Sequence, residues 1–223
     1  MSGPAALVLA AGCSARMGTG EKKEYRLLGG RPVLAHSLLR FRETGLFPVL
    51  LVTVPPGHID RARDLIRPFL PVDDILFVEG GATRKDSVYR GLQALAKLGD
   101  VDFVLIHDAA RPWITCDLIR AVLAAAQERN AAIPVADVCD ALVETGPDGA
   151  VSRHMPKTNL RGVQTPQGFK FRDIWAAHEK ARSSRIAFYD DAQVLMHAGK
   201  TVYTLPGDPA NRKITYPHDL EGA

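Results

Sequence analysis

Three stretches of this chain combine residue types suited to holding phosphate. Leu9-Ala10-Ala11-Gly12-Cys13-Ser14-Ala15-Arg16-Met17-Gly18 follows an apolar run, and its small side chains would let backbone N–H groups approach an anion closely. Two cations leave that loop, Arg16 and Lys23, and holding them together is costly unless an anion lies between them. Polyphosphate is the natural candidate, although a plain βα turn and a solvated Glu21-Lys22-Lys23 run fit the same spacing. The second stretch, Gly80-Gly81-Ala82-Thr83-Arg84-Lys85-Asp86-Ser87, sets paired glycines ahead of polar residues at a helix start. That makes a further pocket lined by N–H groups, with Asp86 and Ser87 as helix caps or base contacts. In the third, His107-Asp108-Ala109-Ala110-Arg111-Pro112, an acidic residue ends an apolar run beside small residues, which suits a metal-phosphate or ribose contact and equally suits a helix cap.

Later segments are less specific. Gln164-Thr165-Pro166-Gln167-Gly168-Phe169 reads as a polar turn, Tyr189-Asp190-Asp191-Ala192 opens a helix, and Asn211-Arg212-Lys213-Ile214-Thr215 follows the last strand. The dinucleotide fingerprint is missing because Ser14 stands at its second glycine, and there is no P-loop. His36, His58, His107, His154, His178, His197 and His218 show no zinc-ligand spacing, and no G-x-S-x-G elbow occurs.

These segments need a frame that brings strand ends together. Apolar runs at Ala5–Ala10, Val49–Val54, Ile75–Val78, Phe103–His107 and Ala131–Val135 alternate with helix-period segments, the pattern of a parallel sheet covered on both faces. The helices are expected near Pro32–Glu43, around Ile59–Ile66, at Lys85–Leu98, around Leu118–Ala125, and at Arg172–Arg182 and Asp190–Ala198, with a last strand at Thr201–Leu205. Residues 138–153 break the alternation with hairpin chemistry around Thr145-Gly146-Pro147-Asp148-Gly149, so a projecting arm is expected at about 138–163. The expected fold is a Rossmann-like, doubly wound, mostly parallel α/β sheet forming one domain over residues 1–223 with that arm.

Composition narrows the function classes. A net charge of +3 is too small for the footprint of a nucleic-acid binder, so no nucleic-acid partner is expected. The basic excess sits in residues 1–31, where Arg16, Lys22, Lys23, Arg26 and Arg31 face only Glu21 and Glu24. No apolar run approaches the ~20 residues of a membrane helix, so no membrane partner is expected either. Cys13, Cys116 and Cys139 form no paired motif, which suits a reducing, cytoplasmic setting.

Taken in order, L-A-A-G-x-x-x-R-M-G, G-G-x-x-R-x-D-S-V, H-D-A-A-R-P, Q-T-P-Q-G-F and N-x-K-x-T-x-P-x-D-L resemble the 2-C-methyl-D-erythritol 4-phosphate cytidylyltransferases of the non-mevalonate isoprenoid pathway, from Ala5 to Leu220. The outline is also similar to ribitol-5-phosphate cytidylyltransferases, and Ala110 tilts toward the erythritol enzymes. The resemblance implies a homodimer with interlocking arms, Mg²⁺ held mainly by the CTP phosphates with Asp108 as a candidate ligand, and transfer of CMP from CTP to the polyol phosphate. It implies CTP contacts at Ala10, Ala11, Gly12, Ser14, Gly81, Ala82, Arg84, Ser87, Asp108 and Ala109, with substrate contacts at Asp108, Arg111, Ala141, Lys157, Thr165, Tyr189 and Lys213. Arg16, Lys23, Lys157 and Lys213 are the implied catalytic cations. The nucleophile would be a phosphate monoester, already mostly dianionic near neutrality because its second pKa is about 6, so no general base is required. Departures from the family pattern are Ser14 for glycine, Lys22-Lys23-Glu24-Tyr25 for Pro-Lys-Gln-Tyr, Ala141 for threonine and Lys157 for arginine. A change of acceptor to ribitol phosphate or another alditol phosphate, or a nucleotide-binding paralogue without turnover, are the alternatives these departures leave.

Overall fold

A computed structural model describes residues 3–12 and 20–220. The central sheet is built on β1 (Gly3–Leu9), β4 (Val49–Val54), β5 (Ile75–Glu79) and β6 (Val101–Asp108), all parallel, in the order β6-β1-β4-β5. Between and after them run α1 (Val33–Glu43), α2 (Ile59–Ile66), α3 (Arg84–Leu98) and α4 (Cys116–Arg129), and a two-residue ladder, β2 (Leu27–Leu28) with β3 (Arg31–Pro32), precedes α1.

The side chains of β1 explain why its sequence is apolar throughout. Ala6, Val8 and Ala10 enter a core with α1, α2 and α4, while Ala5, Leu7 and Leu9 enter a second core with α3, α5 (Phe171–Ala181) and α6 (Asp191–His197). Successive strand residues point to opposite faces, so a strand covered on both sides loses its alternation and reads as one hydrophobic run. In β4, Leu50, Val52 and Val54 lie in the first core and Leu51 in the second; in β6, Leu105 lies in the first and Val104 and Ile106 in the second.

Beyond β6 the sheet is mixed. β7 (Ala131–Asp137) is flanked on one side by β12 (Tyr203–Pro206), which runs parallel to it. Its other edge is shared by β10 (Arg161–Val163) and β11 (Gln167–Lys170), both antiparallel, with β11 inserted between β7 and β6. This corrects the reading of Gln164–Phe169 as a polar turn: its second half is an interior strand. Polar composition concealed it, because Gln167 is fully buried with its amide donating to Asp190 Oδ2 at 2.9 Å and its carbonyl accepting from the Ala192 N–H at 3.1 Å. Gly168 is required beside it, since a Cβ there would lie 2.8 Å from Ala126 Cβ on α4.

The arm consists of β8 (Leu142–Thr145) and β9 (Val151–Met155), an antiparallel pair that forms its own two-stranded sheet. Arg161–Val163, placed in the arm by the sequence reading, instead pairs with β7 in the main sheet. The sheet is closed over at the carboxyl edge of β6 by residues 208–216, and a short 3-10 turn, Pro217–Leu220, follows.

Candidate functional site

The carboxyl ends of β1 and β6 lie side by side, Leu9 paired in register with Asp108, and the loops leaving them form the pocket. In an α/β sheet this edge is where ligands bind, because the loops diverge there and adjoining helices present their N-termini. The cavity has a volume of about 270 Å³. Leu9, Ala11 and Gly12 form one wall, Lys23 and Glu24 a second, Ala82, Thr83, Arg84 and Ser87 a third, and Asp108, Ala110, Lys213 and Thr215 complete it.

The third wall is set by the start of α3. Thr83 and Asp86 form a capping box: the Asp86 N–H donates to Thr83 Oγ1 at 3.1 Å and the Thr83 N–H donates to Asp86 Oδ2 at 3.1 Å. Ser87 Oγ donates to the Thr83 carbonyl at 2.9 Å and accepts from the Gly81 N–H at 3.1 Å, folding the Gly80–Thr83 segment back on the helix. Gly80 is needed at the junction of two walls. A Cβ there would stand 2.3 Å from Ala11 Cβ and 2.7 Å from Ser87 Oγ.

Charge is arranged around one carboxylate. Asp108 Oδ2 accepts from Lys213 Nζ at 2.5 Å, and Asp108 Oδ1 accepts from Arg84 Nε at 3.3 Å. Burial acts to raise the Asp108 pKa, but Lys213 and then Arg84 outweigh it and hold the carboxyl far below the ordinary carboxylate range. Burial likewise works against the Arg84 charge, while Asp191 and Asp108 restore it, so its pKa ends above the usual guanidinium value. Lys23, buried on the opposite side, donates from Nζ to the Ile214 carbonyl at 3.0 Å, one residue beyond Lys213. Two lysines separated by 190 positions in the chain are thereby drawn to one cavity, together with an arginine from a third segment.

A buried hydrogen-bond scaffold supports the Asp108 side. The Asp108 N–H donates to Thr165 Oγ1 at 3.1 Å, and Thr165 Oγ1 lies 3.1 Å from His107 Nδ1. His107 Nε2 faces the Arg111 carbonyl at 3.3 Å, which can only accept, so this network assigns the proton to Nε2 and leaves Nδ1 to accept from the Thr165 hydroxyl. Burial lowers the His107 pKa to about 4, with Asp108 pulling the other way. Asn211 Nδ2 donates to the Thr165 carbonyl at 2.8 Å, and the Asn211 carbonyl accepts from Arg111 Nη1 at 2.7 Å. Arg111 Nη2 reaches the Val163 carbonyl at 3.3 Å. Asn211 and Arg111 thus clamp the C-terminal segment so that Lys213, two residues on, meets Asp108.

Of the residues expected from sequence, Ala11, Gly12, Lys23, Ala82, Arg84, Ser87, Asp108 and Lys213 line the cavity. Ala10, Gly81, Ala109 and Thr165 lie behind it: Ala10 and Ala109 are buried, Gly81 is tied to Ser87, and Thr165 sits beneath Asp108. Arg111, expected at the sugar phosphate, has both Nη atoms committed to backbone carbonyls within the chain. Ala141 and Lys157 lie at the base of the arm, where Lys157 Nζ donates to the Cys139 carbonyl at 2.6 Å, and Tyr189 is 87% exposed; none of the three lines the cavity. Ser14 and Arg16 fall outside the described residues. Sequence reasoning missed Thr215 and Thr83 as lining residues, the clamping role of Asn211, and the buried pair His178 and Asp191 that holds Arg84 from behind. Asn211, Thr215 and Asp191 were within quoted motifs, but their partners are remote in sequence and no spacing reveals them.

A Rossmann-like, mostly parallel α/β sheet with Lys23, Arg84 and Lys213 gathered at its carboxyl edge is the arrangement of a phosphate-binding α/β protein. The family model described as "IspD: 2-C-methyl-D-erythritol 4-phosphate cytidylyltransferase" matches residues 5–223, and the chain belongs to that family. It is 41% identical over 217 residues to the 2-C-methyl-D-erythritol 4-phosphate cytidylyltransferase of Frankia casuarinae, covering 97% of this chain and 78% of that protein. It is also 41% identical over 221 residues to the bifunctional enzyme IspD/IspF of Desulforudis audaxviator, covering 99% of this chain and 55% of the relative, so the chain spans about half the length of the bifunctional relatives it matches. Among solved structures, the 2-C-methyl-D-erythritol 4-phosphate cytidylyltransferase of Thermus thermophilus superposes with a TM-score of 0.79 at 35% identity, covering 99% of this chain and 96% of that one.

Proposed function

We infer that this chain transfers CMP from CTP to 2-C-methyl-D-erythritol 4-phosphate, giving 4-diphosphocytidyl-2-C-methyl-D-erythritol and pyrophosphate. A phosphate oxygen of the acceptor attacks the α-phosphorus of CTP, a new P–O bond forms, and the bond to the β-phosphate oxygen breaks with its electron pair leaving on pyrophosphate. The observation that carries this reading is the gathering of Lys23, Arg84 and Lys213 around a cavity walled by Ala11, Gly12 and Ala82. The obstacle in this reaction is repulsion between a dianion and a triphosphate, and preorganised cations relieve it without a general base.

In this reading Arg16 and Lys23 meet the α-phosphate and pyrophosphate, and Lys213 orients the acceptor phosphate. Among the described residues no group of three or more His, Cys, Asp or Glu could cage a metal, so the donor set suits a divalent ion carried in on the triphosphate, with the Asp108 carboxylate beside it. Mg²⁺ bound there would neutralise charge on the phosphates. Lys157 and Ala141, at the base of the arm, would act on the site of a second copy in an interlocked homodimer. The isolated hairpin supports this, because two strands without a covering layer are marginal in water. No described helix is long and apolar enough to cross a membrane, and the free Cys116 and Cys139 suit a reducing cytoplasm.

The test is pyrophosphate release from CTP, Mg²⁺ and methylerythritol phosphate, with UTP, ATP and ribitol 5-phosphate as comparison substrates. The expected result is preference for CTP and methylerythritol phosphate, and a loss on the order of 100-fold in turnover for Lys23→Ala. Faster turnover with ribitol phosphate transfers the assignment to an alditol phosphate acceptor. CTP binding without pyrophosphate release from any acceptor overturns the enzymatic reading.

A further inference from the structure

Behind the pocket, a carboxylate that never reaches the cavity holds one of its walls. Asp191, the first residue of α6, is 1% exposed, and its Oδ2, which accepts no hydrogen bond, lies 2.9 Å from Arg84 Nη1 as an ion pair. Its other oxygen accepts from His178 Nε2 at 3.1 Å, and His178, on α5, is equally buried. Arg84 is therefore held at two points: Nη1 by Asp191 from α6, and Nε by Asp108 at the end of β6. The resulting row alternates in charge from Lys213 through Asp108 and Arg84 to Asp191, and ends where His178 donates to Asp191.

A guanidinium has a rigid fork, so fixing one nitrogen fixes the direction of the others. Asp108 alone would leave Arg84 free to rotate about a single 3.3 Å contact, the longest in the row. The 2.9 Å ion pair to buried Asp191 adds a second electrostatic restraint that limits this rotation, although the Asp191 oxygen is not aligned for a hydrogen bond. His178 in turn holds the Asp191 carboxylate in one rotamer. We propose that Asp191 is a positioning residue for nucleotide binding, acting through Arg84 to hold the Arg84–Asp108 wall of the pocket in place, with His178 orienting it. The inference rests on the cytidylyl-transfer reading for the identity of the nucleotide, but the contact it concerns is measurable without any ligand.

Asp191→Asn is the main variant, since it keeps the shape and removes the charge. Two measurements are made on the full chain: hydrogen exchange at the Arg84 Nε–H by NMR, and the Kd for CTP with Mg²⁺ by calorimetry. The expected result is exchange at least tenfold faster and CTP affinity about tenfold weaker, with kcat changed by less than about threefold while KM for CTP rises in step with Kd. In an Arg84→Gln background the same substitution is expected to produce no further change in affinity, which a purely structural carboxylate would not give. Asp191→Glu, which keeps the charge on a longer stem, is expected to fall between the unaltered chain and Asp191→Asn on both measurements, and serves alone if Asp191→Asn does not fold. Unchanged Nε–H exchange, unchanged CTP affinity, or additive effects with Arg84→Gln overturn the proposal. An unaltered chain that binds no CTP overturns the nucleotide reading, and the exchange measurement then still decides whether Asp191 holds Arg84.

Discussion

His107 is the residue at which the site and the stability of the fold meet. It is fully buried and neutral, accepts a hydrogen bond from the Thr165 hydroxyl at Nδ1, and so supports the N–H contact that sets Asp108. Its folded pKa, lowered by burial to about 4, lies below the value of about 6.5 expected in the unfolded chain. The unfolded state therefore binds the proton first as pH falls, and the stabilisation present above pH 6.5 is lost between about pH 6.5 and 4. That difference corresponds to about 3 kcal/mol, with no further loss from this group at lower pH. Denaturant unfolding at a series of pH values is expected to show this decline. His107→Asn, which keeps an acceptor near Thr165 and cannot titrate, should be less stable at pH 7.5 yet flatter across the same interval. An equally steep decline in the variant would mean that another group carries the pH dependence. Asp108 adds little over most of this window: with its folded pKa held far down by Lys213 and Arg84, its own stabilisation is complete above the ordinary carboxylate value of about 4 and is lost as pH falls through that value and below.

At the scale of elements, the pocket depends on how α3 begins. Thr83 lines the cavity and caps the helix whose first residue is Arg84, so its hydroxyl serves both fold and site. Removing it in Thr83→Ala leaves the Asp86 N–H without its side-chain acceptor and should cost about 1 kcal/mol. In a chain of this size that corresponds to a thermal midpoint lower by about 2–4 °C, measurable by scanning calorimetry. CTP affinity should fall with it, because the Gly80–Thr83 segment is folded back by Ser87 onto the same turn. Thr83→Ser keeps the oxygen and should retain most of both. A Thr83→Ala chain with an unchanged midpoint would show that Asp86 and water satisfy the helix start without it.

At the scale of the whole molecule, the arm is the feature a single chain does not account for. Val143 and Val151 are 43% and 57% exposed on a hairpin whose two strands pair only with each other. A proposed homodimer would cover them and bring Lys157 to a neighbouring site. Sedimentation velocity is expected to show a dimer for the unaltered chain, and a monomer once residues 142–155 are replaced by a short Gly-Ser turn. The main sheet, which the hairpin does not join, should retain its near-native circular dichroism. A monomeric unaltered chain would remove the dimer from the proposal and leave Lys157 without a role.

The sequence by itself determined the parallel half of the sheet, because β1, β4 and β6 are covered on both faces and must be apolar at nearly every position. It also singled out segments whose residues the fold brings to one cavity, although a plain βα turn and a solvated charged run fit the same spacing, and the order of its motifs pointed to the family. Only the tertiary structure decided that Gln167 and Gly168 form an interior strand, that Arg111 and Asn211 clamp the C-terminal segment, and that Asp191 and His178 stand behind Arg84. Local patterns report burial and turns, whereas a buried polar side chain is tolerated only through partners that the fold brings from far along the chain.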